Sequence, residues 1–424
     1  MISRRVFLKA VPMPSLTALA FPAVLPVQQW NFEKSRVLDL DFPPADDPAC
    51  WQRIRKLFPM PHDETFYNTG TLGAMPTAVL ETMIDHMRQV TTEIAHWDYK
   101  SDDWISGYQP YRKLRERLGQ LMNAAIEEIA LTENATTGMN LVSNGLELAP
   151  GSEILGTDQE HPGGKSGWEV KARRHGSSYR PVTMPKPPKA PEEVIDLFKS
   201  AITPKTQVIA IPHMISGTGT ILPIREICAE ARRRGIFTII DGAQAFGHIA
   251  VDVQELGCDA YYASLHKWFL APPGTGFLYI RKERIREVWA TLASGQWDNH
   301  EDDGYRLLQR GTGNLSTLIS LGAAIDFHNR IGPQRIHRRI KFLGDRLREG
   351  LKGIKRVTLN TSPHPAMSAG ITNFQVEGLV GTALMDALWQ RRKMRMRGNR
   401  LSTHIYNSEA EIDATLELVR DIAK

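Results

Sequence analysis

From residue 129 to residue 280 the chain alternates short apolar runs with stretches of helical spacing. Apolar runs at 129–131, 153–156, 180–183, 208–212, 237–241, 260–263 and 275–280 predict seven strands. Segments near 138–145, 167–175, 192–200 and 224–234 carry helical spacing and separate several of them. Such alternation predicts an α/β domain with a mostly parallel sheet flanked by helices. Ligands of such sheets lie outside the carboxyl ends of the strands. The residues to watch are therefore 132–136, 157–161, 213–220, 241–244 and 264–267.

The flanks read differently. A turn-rich segment, 66–73, leads into a helix from Pro76 to about Val90, with the proline near its first turn. A second helix is expected from about Pro110 to Asn123, with Leu114, Leu118 and Leu121 on one face. From about Gly313, two helices (to 329, and about 334–352) precede strands at 356–359, 371–376 and 393–397. A last helix, 408–423, opens on a capping box of Ser408 and Glu411. The expected organisation is a leader (1–26), an N-terminal segment serving a small domain and the approach to the site (27–90), a large domain (91–312) and a smaller α+β C-terminal domain (313–424).

Composition adds little except at the start. The 424 residues, 42% hydrophobic and 23% charged, suit a globular protein with a sizeable core. The net charge of +5 is spread along the chain and gives little reason to expect a nucleic-acid partner. Ser3-Arg4-Arg5-Val6-Phe7-Leu8-Lys9 matches the twin-arginine export pattern, read by the twin-arginine export machinery. Ala18-Leu19-Ala20 offers a cleavage site, which predicts a periplasmic protein after cleavage near Ala20. The run that follows is short and broken by Pro12, Pro14, Pro22 and Pro26, poorly suited to span a bilayer. An uncleaved tether or a chance match is the competing reading. Cys50, Cys228 and Cys258 have no metal-ligand spacing and are odd in number, so a structural role is expected and no metal site.

The most suggestive stretch is 260–280, which reads strand, turn, strand with Lys267 at the turn. A lysine just beyond a strand end, beside Ser264 and His266, is placed to form an imine with a carbonyl cofactor. A solvated loop lysine is the plain competitor. Thr132-Glu133-Asn134-Ala135-Thr136 ends a strand and opens a helix, an arrangement suited to a phosphate or to ordinary capping. Asp241 closes an apolar strand, where a carboxylate could hold a protonated ring nitrogen or cap a helix. His161, also after a strand, could stack on an aromatic cofactor or move protons.

Taken together, Asp-Gly-Ala-Gln-Ala (241–245) and Ser-x-His-Lys (264–267) resemble the signature of the class V aminotransferases, pyridoxal-phosphate enzymes of fold type I. The resemblance runs from about Phe66 to the C-terminus. It implies Lys267 as the Schiff-base lysine, Asp241 on the pyridinium nitrogen, Gln244 near the ring oxygen and His161 stacked on the ring. It further implies Ala135, Thr136, Ser264 and His266 around the phosphate. Arg310-Gly311-Thr312-Gly313-Asn314 resembles the family segment whose threonine reaches the other subunit's phosphate, so Thr312 implies a homodimer. Asn399-Arg400-Leu401-Ser402 resembles the carboxylate-binding segment, with Arg400 as partner of an amino-acid substrate. The basic run 391–400 also invites a nucleic-acid reading, but Met394 and Met396 alternate with its charges as in a half-buried strand.

Cysteine desulfurases of this family need a nucleophilic cysteine just before that arginine; residues 396–400 contain none, and Ser216 stands where those enzymes usually carry asparagine. The segment 67–73 resembles the isopenicillin N epimerase-like branch, which implies Asn68 and Gly70 near the substrate. Epimerase-like or aminotransferase chemistry at Cα is expected, with a C–S lyase or a cofactor-binding pseudoenzyme as alternatives. Loops around Trp97, Tyr99, Trp104, Trp168 and Trp297 are candidates to line the side-chain pocket.

Overall fold

The computed structural model describes residues 35–44, 47, 49–94, 111–309 and 311–424. The expected leader with its expected cleavage position, and Trp97, Tyr99 and Trp104, lie outside the described residues. In chain order the strands are β1 (Thr65–Phe66), β2 (Ile129–Thr132), β3 (Glu153–Thr157), β4 (Ser178–Val182), β5 (Thr206–Pro212), β6 (Phe237–Asp241), β7 (Ala260–Ser264), β8 (Gly276–Ile280), β9 (Val357–Leu359), β10 (Ile371–Val376), β11 (Met394–Arg395) and β12 (Arg400–Ser402).

Seven strands form one sheet in the order β2-β8-β7-β6-β5-β3-β4. β8 alone runs against its neighbours, β2 and β7; the other pairings are parallel. β6 and β7 are buried along their whole length, as strands covered on both faces must be. The edge strand β4 starts earlier than its apolar pattern suggests, because most of its residues stay partly exposed. Its Pro181 is tolerated at an edge, where a ladder donor is dispensable.

Two helices start earlier than expected, and this shapes the site. Asn134 accepts the Thr137 N–H and so starts the helix Ala135–Gly145 directly after β2. Likewise His161 caps Pro162–His175, with Pro162 in its first turn. Both helix N-termini therefore sit at the carboxyl edge of the sheet.

The remaining strands make a three-stranded antiparallel sheet, β12-β10-β9, and a parallel pair, β1-β11. A second hydrophobic cluster fills the space beneath them, including Leu343, Leu347, Phe374, Leu388, Leu401 and Val419. Tyr67 is buried in the same cluster, its hydroxyl 3.1 Å from that of Thr415. Ser408 and Glu411 form the expected capping box on the helix Glu409–Ile422. The helix Ala383–Arg392 had no clear signature, because apolar residues occupy several of its faces while only Leu384 and Leu388 are buried. The strand expected at 393–397 is reduced to Met394–Arg395; beyond it the chain turns, and Arg397 bridges back to Arg400.

Candidate active site

A cleft of about 670 Å³ opens at the carboxyl ends of β2, β5, β6 and β7. It is lined by Ala135, Thr136, His161, Asp241, Gln244, Ser264, His266, Lys267, Gly70 and Arg400, all anticipated from the sequence. The parts of the large sheet arrive from distant segments because the carboxyl ends of β2, β3, β5, β6 and β7 and the two helix starts face the same edge.

Lys267 sits just past β7, its carbonyl accepting the Leu270 N–H at 3.3 Å, while its amine has no hydrogen-bond or ion-pair partner among the described residues. Burial lowers its pKa, Arg400 adds to this, and Asp241 opposes both. The result is an amine easier to deprotonate than an exposed lysine. The loop beneath it is held by Gly73, whose N–H donates to the His266 carbonyl at 2.8 Å. A Cβ at Gly73 would overlap the Lys267 carbonyl oxygen, so glycine is required there.

Asp241 lies at the floor. One carboxylate oxygen accepts the Ala243 N–H at 2.8 Å. Burial raises its pKa, and nearby Lys267 and His161 offset only part of this. A cationic ring nitrogen would supply the missing counter-charge. Gly164 leaves space beside the other oxygen: a Cβ there would stand 3.0 Å from it. The same point is 3.7 Å from a Glu160 oxygen and 3.7 Å from the Tyr262 hydroxyl. Glu160, half-buried beside Asp241, takes the Thr157 hydroxyl at 3.1 Å and has its pKa raised well above 4.5 by desolvation and then by Asp241.

His161 accepts the Gly163 N–H on Nδ1 at 3.0 Å, which leaves the proton on Nε2. Burial and Lys267 depress its pKa and keep it neutral. At the other end of the cleft Ser264 accepts the Ala135 N–H at 2.9 Å. His266 has a buried Nδ1 without a partner, and burial pulls its pKa down to about 4. An orphaned ring nitrogen, a serine and a helix N-terminus together suit a phosphate. A carbonyl cofactor with a ring nitrogen at one end and a phosphate at the other thus fits the residues present.

The Gln244 side chain donates to the Gly70 carbonyl at 2.8 Å and accepts from the Trp268 indole at 2.8 Å. Arg400 donates to the Ser216 carbonyl at 2.8 Å and the Thr71 hydroxyl at 3.1 Å. Its Nε is buried without a partner among the described residues, and desolvation, helped by Arg397, lowers its pKa to about 10.

Asn68, Thr312, Trp168 and Trp297, also anticipated, do not line this cleft. Asn68 stands behind it, 3.5 Å from Arg400 and accepting the Thr71 hydroxyl at 2.7 Å, so it buttresses the arginine. Thr312 lies beside Gly311, Asn314 and Glu133 around a separate hollow. Trp168 is fully buried core, and Trp297 is about half exposed and away from the cleft. Glu160, Asn373 and Arg397 are the additions from the structure. Glu160 adjoins His161 in sequence, but only its place beside Asp241 marks it.

The sheet order and this cleft define a fold type I pyridoxal-phosphate enzyme. Over residues 68–416 the sequence matches the family Aminotransferase class-V, and the chain belongs to that family. It is 32% identical over 403 residues to the isopenicillin N epimerase of Amycolatopsis lactamdurans, covering 89% of this chain and 99% of that protein. A probable cysteine desulfurase from Xylella fastidiosa (strain 9a5c) is 28% identical, over 77% of this chain and 81% of the relative. Among solved structures, a C-DES mutant with glycine covalently linked to its PLP cofactor superposes with a TM-score of 0.76 at 27% identity, covering 87% of this chain and 99% of the other. The cystine C–S lyase C-DES with cysteine persulfide follows at 0.75 and 26%, covering 85% of this chain and 98% of the other.

Proposed function

We propose that the protein moves a proton at the α-carbon of an amino acid, in isopenicillin N epimerase-like or aminotransferase chemistry. The observation that carries this reading is Lys267: an amine in the cleft without a partner, its pKa depressed, within electrostatic reach of Asp241 and Arg400. Pyridoxal phosphate, when bound, supplies the electron sink that stabilises the carbanion left at Cα. Asp241 would hold the ring nitrogen, Gln244 the ring oxygen and His161 a ring face, while Ala135, Thr136, Ser264 and His266 would hold the phosphate. Arg400 offers its guanidinium fork to the substrate carboxylate, with Asn68 behind it and Gly70 beside it. Lys267 then takes the Cα proton as general base.

Desulfuration by persulfide transfer is disfavoured, since residues 396–400 carry no cysteine and Cys50, Cys228 and Cys258 are all buried. A C–S lyase is the second reading, supported by the likeness to the solved cystine C–S lyase. We further propose a homodimer in which Thr312, remote from its own cleft, reaches the partner's cofactor. Twin-arginine export to the periplasm, with cleavage near Ala20, is proposed on the pattern Ser3–Lys9. Deuterium incorporation at Cα during incubation in deuterated water, with and without a keto acid, tests the reaction. Exchange without net product supports epimerisation, and amino transfer supports an aminotransferase. Released pyruvate with thiol supports the lyase. A wild-type protein that binds no cofactor, or a Lys267→Ala variant with undiminished exchange, would overturn the reading.

A further inference from the structure

Arg397 and Arg400 face each other across a two-residue hairpin turn. The Arg397 N–H donates to the Arg400 carbonyl at 3.3 Å, and the Arg400 N–H returns to the Arg397 carbonyl at 3.0 Å. Gly398 takes the first turn position with φ 55°, a conformation suited to glycine. Residues that exchange both bonds are directly opposite, so their side chains leave the ribbon on one face. The register continues into β10, where Asn373 pairs with Arg400. Arg397, Arg400 and Asn373 form one row, and all three line the cleft.

Like charges directly opposite destabilise a ribbon. Nearby arginines find partners on the protein: Arg395 stacks on Trp389 at 3.8 Å, and Arg391 meets Asp421 at 3.2 Å. Arg397 and Arg400 have no ion pair among the described residues, and Arg397 depresses the pKa of both Arg400 and His161. Asn373 is occupied, donating to the Gly217 carbonyl and accepting from Asn360. Arg400 is anchored to Ser216 and Thr71. Arg397 remains as an exposed guanidinium at the cleft wall, beside the arginine assigned to the α-carboxylate.

We propose that Arg397 receives a second anionic group, so that the substrates are amino acids with an acidic side chain. This rests on the reading of Arg400 as the α-carboxylate partner. A side chain ending in a carboxylate would lie against Arg397 and relieve the repulsion between the two guanidiniums. The planar fork suits a two-point contact that a lysine would not reproduce.

The test titrates the cofactor-loaded enzyme with aspartate, glutamate and 2-aminoadipate against asparagine, glutamine and norleucine. Binding is read from the visible spectrum and by calorimetry at low salt. The best acidic member should bind about tenfold tighter than its neutral counterpart, or about 1.4 kcal/mol. Arg397→Gln should bring that ratio close to one, and added salt should shrink it. Arg400→Gln should weaken acidic and neutral members alike and leave a preference in place. Equal binding of acidic and neutral members by the wild type, or a ratio untouched by Arg397→Gln, overturns the proposal and leaves the reaction at Cα standing. Absence of any amino-acid binding overturns both.

Discussion

The Trp268 indole N–H donates to the Gln244 side-chain oxygen at 2.8 Å, tying the residue after Lys267 to the loop after β6. Trp268 is itself fixed: His248 stacks on it at 3.5 Å and 12°, and His404 donates to its carbonyl at 3.0 Å. The bond sets which way the Gln244 amide points, leaving one of its N–H groups for a ligand once Gly70 has taken the other. Trp268→Phe strips the donor and leaves a buried oxygen without a partner. We expect a loss of about 1–3 kcal/mol in denaturant unfolding, with weaker cofactor retention. Unchanged values of both would contradict this account.

Gly73 offers a sharper steric prediction. Its Cβ-free position lets the N-terminal loop cross against the backbone of Lys267. Gly73→Ala meets a carbonyl oxygen rather than a yielding side chain, so the loop must shift. A cost of about 1–3 kcal/mol is expected, together with lost cofactor binding. Gly295→Ala, where nothing lies within 4 Å, is the control and should bind cofactor like the wild type.

Glu160 predicts a pH dependence. Burial and Asp241 hold its pKa well above 4.5 in the folded protein. The unfolded chain releases this proton first, so the folded state binds more protons above about pH 4.5. Stability from this group is full below that pH and is lost as pH rises toward the folded pKa. Glu160→Gln has no such group, so unfolding curves taken from pH 4 to pH 8 should move in the variant's favour. A constant difference across that range would show that Glu160 ionises normally.

The cysteines give a chemical check. Cys50, Cys228 and Cys258 are 2%, 1% and 0% exposed, and burial pushes the Cys228 thiol up to about 12. Burial disfavours the thiolate at Cys228 and Cys258, and none of the three sulfurs is accessible. A chromogenic disulfide should therefore label the native protein negligibly and all three thiols after unfolding. One rapid equivalent in the native state would revive a persulfide mechanism.

Much of the site was legible because its determinants are local. Strand ends, two of them followed directly by helix starts, bring 132–136, 157–161, 241–244 and 264–267 to one edge. The strand-end positions of Lys267, Asp241 and Ser264 marked them as candidates, and the motifs around them supplied the roles that the resemblance implies. The helix Ala383–Arg392 was missed because its apolar residues mark no single face.

What tertiary structure alone decided is which side chains meet across those local units. Glu160 follows β3 and Asp241 ends β6, and only the sheet order sets them around the same Gly164. Asn68 behind Arg400 depends on a bridge between the N-terminal loop and Ser402. Arg397 read as one charge in a basic run until the hairpin register placed it opposite Arg400. The sequence by itself determined the alternating strand and helix pattern of the large sheet and carried the motifs that resemble the family, since both are written in short local runs. Burial and cross-strand register depend on segments far apart in the chain, so the company kept by Glu160, Asn68 and Arg397 was decided only when those segments packed.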